Sequence, residues 1–172
     1  MRREHVFLIG FMGSGKSSVG ALLGPALSLP FIDLDKQIVN AEGRSITAIF
    51  ATEGEAYFRR VEARVLGEVL DSPPGVLALG GGTLLSLENR RRIRRRGICI
   101  WLAVSLDEAL ERCRREQGRP LALDPLEFSK LYEQRQPTYR KCDVKVEADR
   151  KSPQAICQEI VLHLEEKQDA VD

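Results

Sequence analysis

The chain has 172 residues, and its content of 43% hydrophobic and 30% charged residues is typical of one globular domain and excludes a disordered chain. With 26 basic against 25 acidic residues, the formal net charge is +1, so overall charge does not attract the protein to nucleic acid or membranes. No apolar run approaches the length of a membrane span or of a signal-peptide core. The four cysteines form no C-x-x-C pair, which favours reduced thiols and a cytoplasmic protein.

Segments with strand character alternate with segments of helical periodicity, which predicts βαβ units and a parallel sheet. The near-continuous apolar runs are typical of strands that helices cover on both faces. Ser105 and Ser152-Pro153 carry the signals of helix starts. We predict strands over 5–9, 31–33, 76–79, 98–102 and 144–146, and helices over about 16–28, 35–42, 45–51, 55–70, 86–96, 105–116, 125–138 and 153–167.

A phosphate-binding loop follows the first predicted strand. Residues 10–17 read G-x-x-x-x-G-K-S, between the apolar run 6–9 and a helical pattern, which is the context that this motif requires. Glycines let backbone N–H groups turn toward the phosphates, Lys16 adds a positive charge, and the Ser17 hydroxyl is placed to ligate Mg²⁺. The positive end of the following helix faces the same anion. The motif predicts nucleotide binding by Gly13, Ser14, Gly15, Lys16, Ser17 and Ser18.

Two carboxylates, Asp33 and Asp35, close the second predicted strand. Ligands of open α/β sheets bind beyond the carboxyl ends of strands, so both side chains should project toward the phosphate-binding loop. One can hold the water shell of Mg²⁺ near Ser17, and the other can accept a proton from an attacking hydroxyl. The alternative is that the pair only caps the next helix.

A second group of candidates lies further along the chain. Arg59 and Glu62 share a helix face at three-residue spacing, so the carboxylate could orient a guanidinium fork; a surface ion pair is the alternative. The three glycines at 80–82 suit close backbone approach to a ligand, or else a flexible turn. Arg119, in G-R-P-L at 118–121, could stabilise transferring charge from a mobile cover, although nearby arginines could also complement a helix C-terminus.

Taken together and in this order, the motifs resemble those of the shikimate kinases over roughly residues 5 to 160. The resemblance implies a three-layer αβα P-loop kinase with a five-stranded parallel sheet, akin to nucleoside monophosphate kinases. It also implies transfer of the γ-phosphoryl of ATP to the 3-hydroxyl of shikimate, in the chorismate pathway to aromatic amino acids. The matching motifs are the phosphate-binding loop, D-L-D at 33–35, E-G-R-S-I at 42–46, F-R-R-x-E at 58–62, G-G-G at 80–82, G-R-P-L at 118–121 and R-Q-P-x-Y at 135–139.

The same resemblance implies roles for individual residues. The carboxylate matching Asp35 acts on the substrate hydroxyls as the base, and the arginines matching Arg59 and Arg135 hold the substrate carboxylate. The backbone of the glycine run, here at Gly81, contacts another hydroxyl. The remaining implied positions are Gly80, Gly81 and Gly82 at the substrate, Asp33 with Ser17 near Mg²⁺, Lys16 and Arg119 in catalysis, and Arg119, Arg150 and Lys151 at ATP.

The resemblance further implies one domain over residues 1–172, with a substrate-binding segment at about 33–62 and a lid at about 112–124. We expect ATP and shikimate as partners, no nucleic acid, no membrane, and a monomer. Residue 122 is alanine where family members often carry a second leucine, so the contacts of lid closure could differ.

Two other functions compete with this interpretation. One is a kinase for gluconate or a nucleoside monophosphate on the same fold; the other is a non-catalytic nucleotide-binding module. Asp35 together with Arg59 and Arg135 suits a carboxylated polyol. Because the candidate base and both substrate arginines are present, nothing in the sequence explains why catalysis would have been lost. A further feature is the run 90–96, six arginines in seven residues, which could bind nucleic acid or anionic lipid. The near-neutral chain favours a solvated helix end.

Overall fold

Strands and helices alternate along the chain in the computed structural model, which describes residues 4–115 and 124–169. In chain order the elements are β1 (His5–Ile9), α1 (Lys16–Ala26), β2 (Phe31–Asp33), α2 (Leu34–Glu42), α3 (Ile46–Leu70), β3 (Val76–Ala78), a 3₁₀ helix (Thr83–Leu85), α4 (Leu87–Arg94), β4 (Gly97–Ala103), α5 (Leu106–Arg115), α6 (Pro125–Tyr139), β5 (Val144–Glu147) and α7 (Pro153–Asp169).

The strands form one parallel sheet of five strands in the order β2-β3-β1-β4-β5. Ala78 of β3 lies between Leu8 of β1 and Asp33 of β2 in the register. The carboxyl ends of these three strands therefore meet at one edge. Each of them is followed directly by one of the predicted motifs, so the sheet order brings all three together.

Successive strand residues enter two different cores because side chains alternate between the faces of a sheet. Val6 and Leu8 pack with α1 and α7, whereas Phe7 and Ile9 pack with α3, α4 and α6. Both faces of the sheet are thus covered by helices. The structure confirms the predicted three-layer αβα fold with five parallel strands.

The predicted strands and helices are all present within the described residues, with ends that differ by no more than two residues. The predicted break between helices 45–51 and 55–70 corresponds to Gly54, whose φ of 79° interrupts α3. The 3₁₀ helix over Thr83–Leu85 was not predicted. No helix in the described part of the chain is long and apolar enough to cross a membrane.

Candidate active site

A single cavity of about 770 Å³ opens at the edge where β1, β2 and β3 end. It brings together most of the residues predicted from the sequence. Its lining includes Gly13, Gly15, Lys16, Ser17, Ser18, Asp33, Asp35, Arg59, Gly80, Gly81, Gly82 and Arg135.

The phosphate-binding loop lies at one end of this cavity. Gly13 and Gly15 have φ values of 78° and 88°, in the left-handed region that glycine adopts without steric cost. Gly15 is the N-cap of α1, and neither a capping side chain nor an acidic residue occupies the first turn. The N-terminal end of α1 therefore has no capping side chain or acidic residue of its own, which leaves its backbone N–H groups open to a bound anion.

Lys16 lies over the same loop. Its Nζ donates hydrogen bonds to the carbonyl oxygens of Gly10 and Phe11 at 2.8 and 3.1 Å, with Ser14 Oγ at 3.5 Å. Ser14 itself is fully buried beneath the loop and does not line the cavity. The ammonium group is thus held at the rim of the loop, where it can add a point charge to a bound phosphate.

Asp33 serves two purposes at the end of β2. Its Oδ1 accepts hydrogen bonds from the backbone N–H groups of Asp35 and Lys36, at 3.1 and 3.4 Å, and so caps α2. Its Oδ2 accepts a hydrogen bond from Ser17 Oγ at 2.9 Å. The helix cap and the proposed place beside the Ser17 hydroxyl are therefore compatible, since each uses a different carboxylate oxygen.

Asp35 lies in the first turn of α2 and faces the glycine run that follows β3. A Cβ placed on Gly80 would lie 3.0 Å from Asp35 Oδ1 and 3.3 Å from Glu62 Oε1. The carboxylate of Asp35 is thus packed against Gly80, and a side chain at this position would have to displace it by a few tenths of an ångström. The two predicted substrate elements, the carboxylate and the glycine run, are in contact.

Arg59 is oriented by a buried carboxylate, which is one of the two possibilities that its spacing in the sequence left open. Its Nη1 donates to Glu62 Oε2 at 2.8 Å, and Glu62 is only 1% exposed. Thr83 donates its hydroxyl to the other oxygen of Glu62 at 2.6 Å. Both carboxylate oxygens of Glu62 therefore accept hydrogen bonds. Because Glu62 is buried, the alternative of a surface ion pair is wrong.

Arg135, on α6, also lines the cavity. Burial lowers the pKa of its guanidinium from the ordinary value; Tyr139, Glu55 and Glu62 raise that pKa, and the positive charge of Arg59 lowers it. Two guanidiniums thus lie close enough to repel each other inside one cavity. A carboxylate between them would remove this repulsion.

Three contacts at the site were not predicted from the sequence. Tyr139 donates its hydroxyl to the carbonyl oxygen of Gly81 at 3.1 Å, and Thr83 holds Glu62 as described. Arg112 donates to the carbonyl oxygens of Gly13 and Ala148, at 3.2 and 2.9 Å. The motif R-Q-P-x-Y at 135–139 contains Tyr139, but the spacing alone does not indicate which group the phenol meets.

Two of the predicted ATP-binding residues do not line this cavity. Arg150 and Lys151 are not among the residues that line this cavity, and Lys151 Nζ contacts Glu159 Oε2 at 2.5 Å. Their assignment to adenine stays a prediction. Arg119 and the centre of the predicted lid, 116–123, lie outside the described residues.

The arginine run 90–96 forms part of α4 and the turn after it. Arg92 and Arg94 donate to the carbonyl oxygens of Ala63 and Lys141, at 3.0 and 3.5 Å. Of the six arginines in this run, only Arg96 pairs with a carboxylate in the described part of the chain, that of Asp71 at 2.7 Å. Three of the six guanidiniums therefore tie α4 to its surroundings.

Comparisons with known proteins agree with this geometry. A shikimate kinase from Sulfurihydrogenibium sp. (strain YO3AOP1) is 37% identical over 165 residues, which is 95% of this chain and 99% of that protein. The solved structure of shikimate kinase from Acinetobacter baumannii in complex with shikimate superimposes with a TM-score of 0.91, at 31% identity over 96% of this chain and 95% of that one.

A more distant structure shows the fold alone. A gluconokinase from Sinorhizobium meliloti 1021 has a TM-score of 0.66 at 20% identity, over 98% of this chain and 95% of that one. The family profile described as "Shikimate kinase" matches residues 12–165. By the extent of that match and the identity to its members, this chain belongs to the shikimate kinase family, whose members are kinases that use ATP as co-substrate.

Proposed function

We propose that this protein transfers the γ-phosphoryl group of ATP to the 3-hydroxyl of shikimate, giving shikimate 3-phosphate and ADP. The observation that carries the proposal is that one cavity contains the phosphate-binding loop, the carboxylate of Asp35 and the guanidiniums of Arg59 and Arg135. These are the groups that a phosphoryl donor and a small carboxylated polyol require. The product would enter the chorismate pathway to aromatic amino acids.

Substrate recognition rests on the two arginines and the glycine run. Arg59 is fixed by Glu62, and Arg135 approaches from α6, so the substrate carboxylate would lie between two cations. Gly80, Gly81 and Gly82 line the same cavity and offer backbone donors to a hydroxyl. Gluconate and a nucleoside monophosphate are also anions, so the preference for shikimate over them rests on the family match rather than on the two cations.

Phosphoryl transfer is assigned to Asp35, Lys16 and Arg119. The 3-hydroxyl would give its proton to the Asp35 carboxylate as its oxygen bonds to the γ-phosphorus and the bond from that phosphorus to the β-phosphate oxygen breaks. ADP leaves with the electron pair of the broken bond. Lys16 would stabilise the developing charge from the phosphate-binding loop, and Arg119 would do so from the lid.

The side-chain oxygens of Ser17, in the first turn of α1, and Asp33, at the end of β2, are suited to Mg²⁺. Ser17 Oγ and Asp33 Oδ2 lie 2.9 Å apart beside the phosphate-binding loop, and hard oxygen ligands are those that Mg²⁺ takes, usually with phosphate oxygens and water. Ser17 would ligate the ion directly and Asp33 through its water shell. When bound, Mg²⁺ neutralises charge on the phosphates.

Four broader expectations from the sequence stay predictions. They are a single domain with a substrate-binding segment at about 33–62 and a lid at about 112–124, a monomeric state, contact of Arg150 and Lys151 with adenine, and a location in the cytoplasm. Cys99, Cys142 and Cys157 are reduced thiols, which agrees with a reducing compartment.

The test is an ADP-release assay with purified protein, ATP and each of three acceptors: shikimate, gluconate and a nucleoside monophosphate, with and without Mg²⁺. We expect turnover with shikimate and Mg²⁺ only. Lys16→Ala is the control for contaminating kinases, because it removes the loop cation while leaving the acceptor site intact.

Two results would overturn the proposal. Faster turnover of gluconate or the nucleotide than of shikimate would reassign the acceptor. ATP binding without turnover of any acceptor would favour a non-catalytic nucleotide-binding module.

A further inference from the structure

The glycine run after β3 has three carbonyl groups, and each accepts a hydrogen bond. The backbone N–H groups of Thr83 and Leu85 donate to the carbonyl oxygens of Gly80 and Gly82, at 3.1 and 3.0 Å. The carbonyl oxygen of Gly81 accepts instead from the hydroxyl of Tyr139 at 3.1 Å. Only the middle carbonyl thus depends on a side chain from a distant element.

The orientation of the Gly81 carbonyl also determines that of the next backbone N–H group. A peptide unit is planar and trans, so the direction of the Gly81 C=O sets the direction of the Gly82 N–H. Within residues 4–115 and 124–169, no protein acceptor is recorded for the N–H groups of Gly81 and Gly82, both of which line the cavity. Since glycine has the widest choice of backbone angles, an unheld peptide here would rotate.

Tyr139 is suited to hold it. The side chain is 2% exposed and packs beside Trp101, with ring centroids 6.1 Å apart, so its position is defined by the core. Burial raises the pKa of the phenol above its ordinary value, although Arg135 lowers it, so the hydroxyl keeps its proton and remains a donor at neutral pH. Tyr139 also follows Arg135 by four residues, one turn along α6.

We propose that Tyr139 is a positioning residue, which holds the Gly81–Gly82 peptide so that its N–H faces the substrate and which fixes that donor relative to Arg135 on the same helix. This proposal rests on the proposed function. One helix would then set both the carboxylate contact and the hydroxyl contact of the substrate. The phenol itself does not touch the substrate in this arrangement.

The test compares Tyr139→Phe with Tyr132→Phe. Tyr132 lies on the same helix and also donates its hydroxyl to a backbone carbonyl, that of Val104 at 2.8 Å, but it does not line the cavity. Loss of one such hydrogen bond corresponds to about a three- to tenfold change in an equilibrium constant. We expect Tyr139→Phe to raise the KM for shikimate by about that factor, with the KM for ATP unchanged, and Tyr132→Phe to leave both unchanged.

Two further readouts separate positioning from general destabilisation. The first uses shikimate analogues that each lack one non-reacting hydroxyl. For the analogue that lacks the hydroxyl bound by the Gly82 N–H, Tyr139→Phe should not raise the KM, because that N–H then has no acceptor on the substrate. In ¹⁵N relaxation of the free protein, the Gly82 amide should gain fast motion in Tyr139→Phe but not in Tyr132→Phe.

An unchanged Gly82 amide, or equal losses with every analogue, would overturn the assignment. The relaxation measurement needs no substrate. It therefore decides whether Tyr139 holds the peptide even if wild-type protein fails to phosphorylate shikimate, an outcome that would refute the proposed function instead.

Discussion

The guanidinium of Arg59 lies against the α-carbon of Gly82. A Cβ placed on Gly82 would be 2.4 Å from Nη2 and 2.7 Å from Nη1, far inside contact distance. Nη1 of the same guanidinium also donates to Glu62 Oε2 at 2.8 Å, and Nη2 lies 3.3 Å from Glu55 Oε1. Glycine at position 82 therefore leaves the space that the guanidinium occupies while it pairs with Glu62.

The first prediction follows from this contact. Gly82→Ala should displace Arg59 from Glu62 and raise the KM for shikimate by about tenfold or more, since small displacements of binding groups are costly. Steady-state kinetics with each substrate varied will measure it. Leu87→Ala, at an exposed position outside the cavity and shortly after the glycine run, is the control. Equal effects of the two substitutions would contradict the steric argument.

Asp35→Asn should suppress turnover while preserving the fold. The amide cannot accept the proton of the attacking hydroxyl, and general-base catalysis contributes about 10²–10⁴-fold to rate. The measurement is kcat for shikimate phosphorylation, with circular dichroism as a check on folding. Asp107→Asn, an exposed change in the first turn of α5, is the control. Near-normal kcat in Asp35→Asn would refute its role as base.

Arg135→Ala should abolish useful affinity for shikimate and leave ATP binding intact. Removing one member of a buried charged contact costs about 2–5 kcal/mol, which corresponds to at least about thirtyfold in affinity. Calorimetric titration with each ligand separates the two effects. Lys130→Ala, an exposed cation on the same helix, serves as the control.

Arg59→Ala should have the same effect on shikimate. It additionally leaves Glu62 buried without its partner, so a fall in thermal stability should accompany it. Unchanged shikimate affinity in either arginine variant would remove that residue from the site.

Protein stability should fall with acid through His5. This residue is 3% exposed, its Nδ1 accepts a hydrogen bond from the Gly75 N–H at 3.2 Å, and burial lowers its pKa from the ordinary 6.5. Below pH 6.5 the unfolded chain binds a proton that the folded chain does not, so the free energy of unfolding decreases until the pH reaches the folded-state pKa. One proton limits the slope to about 1.4 kcal/mol per pH unit.

Urea unfolding between pH 7.5 and 5.5 will test this. We expect a flatter pH dependence for His5→Gln than for the wild type. His163→Gln, at a partly exposed position on α7, is the control and should keep the wild-type dependence. If His5→Gln and the wild type lose stability in parallel, another group is responsible.

The arginine run should not bind nucleic acid at physiological ionic strength. Three of its guanidiniums contact Ala63, Lys141 and Asp71, and the chain has a net charge of +1. The remaining three can make no more than about three phosphate contacts, whose affinity falls steeply with salt. A mobility-shift assay with duplex DNA at 0.05 and 0.15 M salt will measure this. A shift that persists at 0.15 M and is lost in the Arg90, Arg91, Arg95→Gln variant would contradict it.

The amino-acid sequence by itself determined the elements and most of the site. Apolar runs separated by helical periods require a covered parallel sheet, and the phosphate-binding loop needs its glycines and Lys16 whatever surrounds it. The spacing of Arg59 and Glu62 placed them on one helix face, because that relationship depends only on the helical repeat.

Only the tertiary structure decided which strands are neighbours and which distant groups meet. The order β2-β3-β1 places Asp35 against Gly80 and lets Asp33 both cap α2 and accept from Ser17. The contact of Tyr139 with Gly81, 58 residues away, has no local signature. Such contacts arise from the packing of α6 on the sheet. The periodicity of a helix or strand specifies which face of the element is buried, but it does not specify which residue lies opposite that face.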